Sequence, residues 1–200
     1  MEVLFIRHGQ SEHNIRITEN LNSSLTEFGK EQSINLSLWL KGNFDFSDFQ
    51  GICSPFLRTL QTANRIQHHS GLKFSIDPRC REYLMRSTVE VEDAEEDFPA
   101  ILNHISPTSF GPESTESYIN RFKSLLKNKL CVVSHEFPIL TMHNILMGMS
   151  DEDIASSMIL ASERYNANLG LYTPIENCGM VWIKDGKCQW FSKTVNNECD

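Results

Sequence analysis

Two short apolar runs that end in histidine, helix-period segments between them, and a hairpin signal near the C-terminus predict an α/β fold. The expected form is a mostly parallel central sheet with helices on both faces, a lid-like insertion and a C-terminal hairpin. Val3-Leu4-Phe5-Ile6 leads into Arg7-His8-Gly9, and Leu130-Cys131-Val132-Val133-Ser134 leads into His135. Continuous apolar runs of this length suit strands covered on both faces of a parallel sheet. Met180-Val181-Trp182-Ile183 and Trp190-Phe191 are joined through Lys184-Asp185-Gly186-Lys187, and Asp-Gly between two such runs is a strong antiparallel turn signal.

The elements follow in order. After the opening strand, Gly9 allows a sharp turn and Ile15 to Ser24 is polar and looping. Ser24-Leu25-Thr26-Glu27 fits a capping box, with Thr26 as a rival cap, and opens a helix to Lys41 that Gly42 can stop. Phe28, Ile34, Leu36, Leu38, Trp39 and Leu40 supply its apolar positions. Gly51-Ile52-Cys53 is a short strand, and Ser54-Pro55 is expected as N-cap and first residue of a second helix with Phe56, Leu60, Ala63 and Ile66 inward. Phe74 to Asp77 is a further strand. From 78 to 112 the pattern degrades into an inserted segment with little or only helical structure, a candidate lid. Ser114 to Lys129 is expected as helix, a helix opens at Pro138 and stops near Gly148, and another spans Asp151 to Arg164. The whole chain, 1–200, is expected to be one domain carrying that insertion.

The charge of −8 in 200 residues argues against a nucleic-acid binder, which relies on cations at phosphates. No apolar run approaches the ~20 residues of a membrane helix, and no signal peptide is expected. The six cysteines are scattered without a C-x-x-C pair, which suits a reduced, cytoplasmic protein and disfavours structural zinc. Cys53 and Cys131 sit in apolar runs as small hydrophobes. Glu90, Glu92, Asp93, Glu95, Glu96 and Asp97 form an acidic cluster in the insertion. Such runs are usually solvated. Facing a pocket, this one would repel excess anionic charge or favour a substrate with a cationic part.

In open α/β sheets, ligands bind at the C-terminal ends of the strands, which is where Arg7, His8 and His135 fall. An imidazole there can serve as nucleophile, general base or metal ligand. An arginine beside it holds anions through its fork of donors, and Ser11 and Asn14 add neutral groups suited to phosphoryl oxygens. Arg58, in the first turn of the second helix or just beyond, can reach the same pocket. Two histidines, two arginines and a carboxylate make a set suited to phosphoryl transfer.

Arg7-His8-Gly9 with Asn14, Ser54-Pro55 with Arg58, Gln61-Thr62, and Ser134-His135 together resemble the histidine phosphatase superfamily, the phosphoglycerate-mutase-like family. The resemblance implies that His8 is the nucleophile and forms a phosphohistidine. It implies that Arg7, Arg58 and His135 bind the phosphoryl group, that Ser11 and Asn14 line the substrate side, and that neither metal nor other cofactor is required. The proton donor would lie between the two histidine segments. Glu82 is the choice there, with Glu90, Glu92 and Asp93 as rivals, because the glycine and tryptophan that often follow this Glu are absent. Glu136 is a second departure, standing where many relatives have glycine. It is expected either to pair with His135 and hold it protonated, or to oppose phosphate. The implied activity is hydrolysis of a phosphate monoester, on a small phosphorylated substrate or a phosphoprotein. A mutase-type phosphotransferase or a non-catalytic phosphate-ester-binding protein are the alternatives. The short segment between Glu82 and His135 favours hydrolysis over a mutase, which needs larger loops.

Overall fold

Two of the four parallel strands carry the continuous apolar runs that end in histidine, and all four lie in one sheet. The computed structural model describes residues 1–166 and 175–191; Cys199 lies outside them. β1 (Glu2–Arg7), β2 (Gln50–Cys53), β3 (Phe74–Ile76) and β6 (Leu130–Ser134) run parallel. β7 (Met180–Lys184) and β8 (Lys187–Phe191) join antiparallel, giving a six-stranded sheet of order β3-β2-β6-β1-β7-β8. The Asp-Gly turn forms as expected, with φ 50° at Asp185 and 75° at Gly186, the left-handed pair that a tight hairpin demands.

Alternate residues of β1 face opposite cores. Leu4 and Ile6 pack with Leu36, Leu40, Leu60 and Ile66 of α1 (Glu27–Asn43) and α2 (Leu57–Ser70). Val3 and Phe5 pack with Tyr118, Phe122, Ile139, Met142 and Ile154 of α3 (Thr115–Lys123), α4 (Glu136–Leu146) and α5 (Asp151–Asn166). Helices therefore cover both faces, and Cys53 and Cys131 are fully buried free thiols.

Several expectations need correction. Thr26, not Ser24, caps α1, accepting from the Gly29 amide. Phe28 and Leu38 of that helix are exposed, and its inner face instead includes Gly29, Gln32, Ser33 and Ser37. The cause is close approach: a Cβ on Gly9 would collide with Gly29 O and lie 2.8 Å from Ser33 Oγ, so bulk cannot face the loop after β1. Gly9 is needed for that contact rather than for a left-handed turn. Ser54 does not cap α2, which begins at Leu57. The Leu57 amide donates to Asn22 Oδ1 at 2.8 Å, a cap from a distant loop. α3 stops at Lys123 rather than Lys129, and α4 opens at Glu136, two residues before Pro138.

The 78–112 segment is not devoid of strand. After a short 3-10 turn (Pro78–Cys80), β4 (Val89–Val91) and β5 (Thr108–Phe110) form an antiparallel ribbon. Val89 and Val91 alternate with exposed acids and bury against Phe56 and Leu84. That period-2 pattern was present in Val89-Glu90-Val91-Glu92, but the acidic composition obscured it.

Candidate active site

The ends of β1 and β6 are locked together before any side chain is considered. The His8 amide donates to Ser134 O at 3.0 Å, and the Ser54 amide to Val133 O at 3.1 Å. Arg7 and His8 leave β1, Ser54 leaves β2 and His135 leaves β6 at one edge, and α2 brings Arg58 between them. His8 and His135 are 2% and 0% exposed, with ring centroids 5.2 Å apart.

Arg58 assigns both imidazole tautomers. A guanidinium only donates, so the ring nitrogens it meets must carry lone pairs. Its Nε is 3.0 Å from His8 Nε2 and its Nη2 is 3.0 Å from His135 Nδ1. The His8 proton is therefore on Nδ1 and donated to Gly9 O at 2.7 Å, leaving Nε2 as the basic atom. The His135 proton is on Nε2 and donated to Ser54 Oγ at 2.8 Å. Burial, then the Arg58 and Arg7 cations, holds His8 well below its ordinary value; burial, Arg58, His8 and Arg7 do the same for His135. Both rings are neutral at neutral pH. Burial brings Arg58 down to about 10, so it stays charged.

Glu82 sits at the edge of this group, its Oε2 3.8 Å from His135 Nδ1. Its backbone is held by Arg121 Nη2 donating to Glu82 O at 3.2 Å, and Arg121 in turn binds Glu113, which also holds Arg81. Ser134 Oγ donates to Cys80 O at 2.6 Å and ties the same segment to β6. Burial raises the Glu82 carboxyl, against the lowering pull of Arg58. The rivals Glu90, Glu92 and Asp93 are exposed and line a different space, described below.

Glu136 does not pair with His135 in the expected way. Its Oε2 lies 3.1 Å from Arg7 Nη1, while His135 remains neutral. Successive residues entering a helix point about 100° apart, so a neighbour in sequence reaches a different partner. Arg7 Nη1 also donates to Ile175 O, and Arg7 Nε is buried without a hydrogen-bond partner among the described residues. Ser11 and Asn14 bind each other: the Ser11 amide and hydroxyl donate to Asn14 Oδ1 at 3.0 and 3.1 Å, and Asn177 Nδ2 donates to the same oxygen. Asn14 is exposed and Ser11 buried. Sequence reasoning missed Ser54 as the His135 partner, Asn22 as the α2 cap and Asn177 as the loop tie. Ser54 was visible as a polar residue at a strand end; Asn22 and Asn177 carried no local signal.

Beside this group, a cavity of about 730 Å³ lies between the 13–22 loop and the β4 region. Its lining includes His13, Leu21 and Leu57 together with Glu19, Glu90, Glu92, Asp93 and Asp97. Arg58 Nη1 donates to Leu21 O in its wall. Among the described residues, no group of three or more His, Cys, Asp or Glu side chains is placed to hold a metal ion, and no helix is long and apolar enough to cross a membrane.

A neutral histidine among preorganised arginine donors at a sheet edge is equipment for phosphoryl transfer. The family model for branch 1 of the histidine phosphatase superfamily matches residues 3–198, and the chain belongs to that superfamily. Its chemistry is thereby of the phosphatase or phosphotransferase class. No curated protein sequence matches the chain. Solved structures share the fold at low identity. The alpha-ribazole phosphatase from Shigella flexneri is 17% identical, with a TM-score of 0.62, covering 97% of this chain and 96% of its own. A mycobacterial glucosyl-3-phosphoglycerate phosphatase in complex with VO3 is 15% identical, with a TM-score of 0.59, covering 96% and 98%. Mycobacterial hydrolase 1 is 16% identical, with a TM-score of 0.60, covering 94% and 95%.

Proposed function

We propose that the chain hydrolyses a phosphate monoester, without metal, through a phosphohistidine on His8. The observation that carries this reading is the tautomer of His8: Nδ1–H is anchored on Gly9 O and the lone pair of Nε2 faces Arg58. Nε2 attacks phosphorus and the ester oxygen leaves with a proton from Glu82. Negative charge spreads over the phosphoryl oxygens, where Arg7 and Arg58 donate. Arg58 turns its Nε–H from His8 to the phosphoryl group as substrate enters. His135 holds Arg58, and its bond to Ser54 allows a tautomer exchange, because a hydroxyl both donates and accepts; Nδ1–H would then face the phosphoryl oxygens. Water next loses a proton to the Glu82 carboxylate and attacks phosphorus, which restores His8 and releases phosphate. Ser11 and Asn14 shape the loop on the substrate side. The substrate is a small phosphorylated compound or a phosphoprotein segment, and the buried free thiols accord with a reducing, cytoplasmic setting.

The test is phosphate release from a panel of esters in the presence of chelator, with His8→Ala as control. Activity is expected to survive chelator and to vanish in the variant, with folding intact by circular dichroism. Full activity of the variant would overturn the mechanism. An acid-labile phosphoenzyme that passes its phosphate to an alcohol rather than to water would make the protein a mutase.

A further inference from the structure

Arg7 reaches the phosphoryl site with a carboxylate already on it. The Arg7 Nη1 to Glu136 Oε2 distance is 3.1 Å, and the side chains are only 10% and 17% exposed. Glu82 supplies a second carboxylate to the same group, 3.8 Å from His135. Both histidines are neutral. Two arginine cations therefore face two carboxylates, and with both ionised the inner ring offers an incoming dianion no net charge to bind.

We infer that Glu136 is an internal competitor for Arg7, which a phosphate dianion displaces with uptake of one proton by the Glu136 carboxylate. The inference rests on the phosphatase reading of this site. The step balances simply. A solvent proton joins a Glu136 oxygen, the Arg7–Glu136 ion pair is replaced by an Arg7–phosphate pair, and no bond within the phosphate changes. Arg7 Nε, buried without a partner among the described residues, becomes satisfied in the same movement. Gaining that bond favours the exchange, because an unmade buried donor is costly.

The surroundings suit such an exchange. Burial raises the Glu136 carboxyl to about 7; Arg7 from β1 opposes this, and Glu82 from the segment after β3 reinforces it. Arg58 from α2 and Arg121 from α3 act on Glu82, and Arg58, Arg7 and Arg121 act on His135. Among the described residues, the anionic neighbour that raises Glu136 is Glu82, in its ionised form.

The experiment is calorimetric titration of the full chain with inorganic phosphate near pH 8, in two buffers of different ionisation enthalpy, for the wild type and the isosteric Glu136→Gln variant. Wild type is expected to take up about one more proton per phosphate than the variant and to bind about ten-fold more weakly, as follows from a group titrating near 7. The affinities should converge near pH 5.5. Equal proton counts and equal affinities near pH 8 would overturn the inference. So would weaker binding by the variant, which would make Glu136 a support for Arg7 instead of its competitor. Because the readout is binding, the two proposals fail separately. A Glu136-dependent proton with no ester hydrolysis retains this inference and removes the phosphatase reading. Hydrolysis with identical proton counts does the reverse, and no phosphate binding by either protein overturns the inference.

Discussion

Three side chains carry the proposed chemistry: His8, Glu82 and Glu136. His8 carries a basic Nε2 because Gly9 O takes the other proton and Arg58 supplies only donors. Glu82 is raised by burial and lies at the rim of the histidine pair, and the proposed reaction gives it the role of proton donor to the leaving group. Glu82→Gln should therefore slow esters with poor leaving groups by about 100-fold and activated aryl phosphates far less. Steady-state rates on the two ester classes measure this, and equal losses would point to another acid. Glu136 bears on stability as well. Its carboxyl is ordinarily at 4.5 and is raised to about 7 in the fold. Between those values the folded protein keeps a proton that the unfolded chain has released. Stability consequently falls as pH rises through that window, by at most about 3 kcal/mol. Thermal melts from about pH 5 to about pH 8 should show the decline in wild type and a flatter profile in Glu136→Gln.

At the scale of elements, the site depends on how tightly the loop after β1 lies against α1. A Cβ on Gly29 would run into the backbone of Gln10, and one on Gly9 would run into Gly29 O. Gly29→Ala should cost about 3 kcal/mol, read as a lowered urea midpoint, and should reduce turnover in the fraction that stays folded because His8 moves with the loop. This packing explains why the part of α1 that faces the loop is small and polar, at Gly29 and Ser33, while Leu36 and Leu40 further along pack into the core and Phe28 and Leu38 are exposed. α2 shows the same dependence on distant chain, since Asn22 satisfies its Leu57 amide and Leu21 O receives Arg58. No local pattern can announce a cap borrowed from 35 residues away. The ribbon of β4 and β5 was legible in principle, from the alternation of valine with glutamate, and was hidden by charge.

Across the whole molecule, the two faces of the sheet have separate tasks. α1 and α2 bring the His8 loop and Arg58, while α3 and α4 bring Arg121 and Glu136, and the strand ends gather all four. The acidic cluster expected in the insertion partly lines the cavity beside Arg58, where Glu19, Glu90, Glu92, Asp93 and Asp97 contribute. Esters with a neutral or cationic leaving group should accordingly show higher kcat/KM than polyanionic ones, by about ten-fold or more at low ionic strength, with the gap narrowing as salt is added. A panel of esters matched for leaving-group pKa measures it, and a preference for polyanions would separate this cavity from substrate binding. Apolar runs ending in Arg7-His8 and Ser134-His135, with Asp185-Gly186 at the hairpin, were enough to determine the parallel sheet, its antiparallel end and the edge where His8 and His135 meet, because periodicity and turn chemistry are local properties of a chain. The tautomers of His8 and His135, the partner of Glu136 and the cap of α2 were decided only by tertiary structure, because each depends on which groups meet across tens of residues and on the water their burial removes.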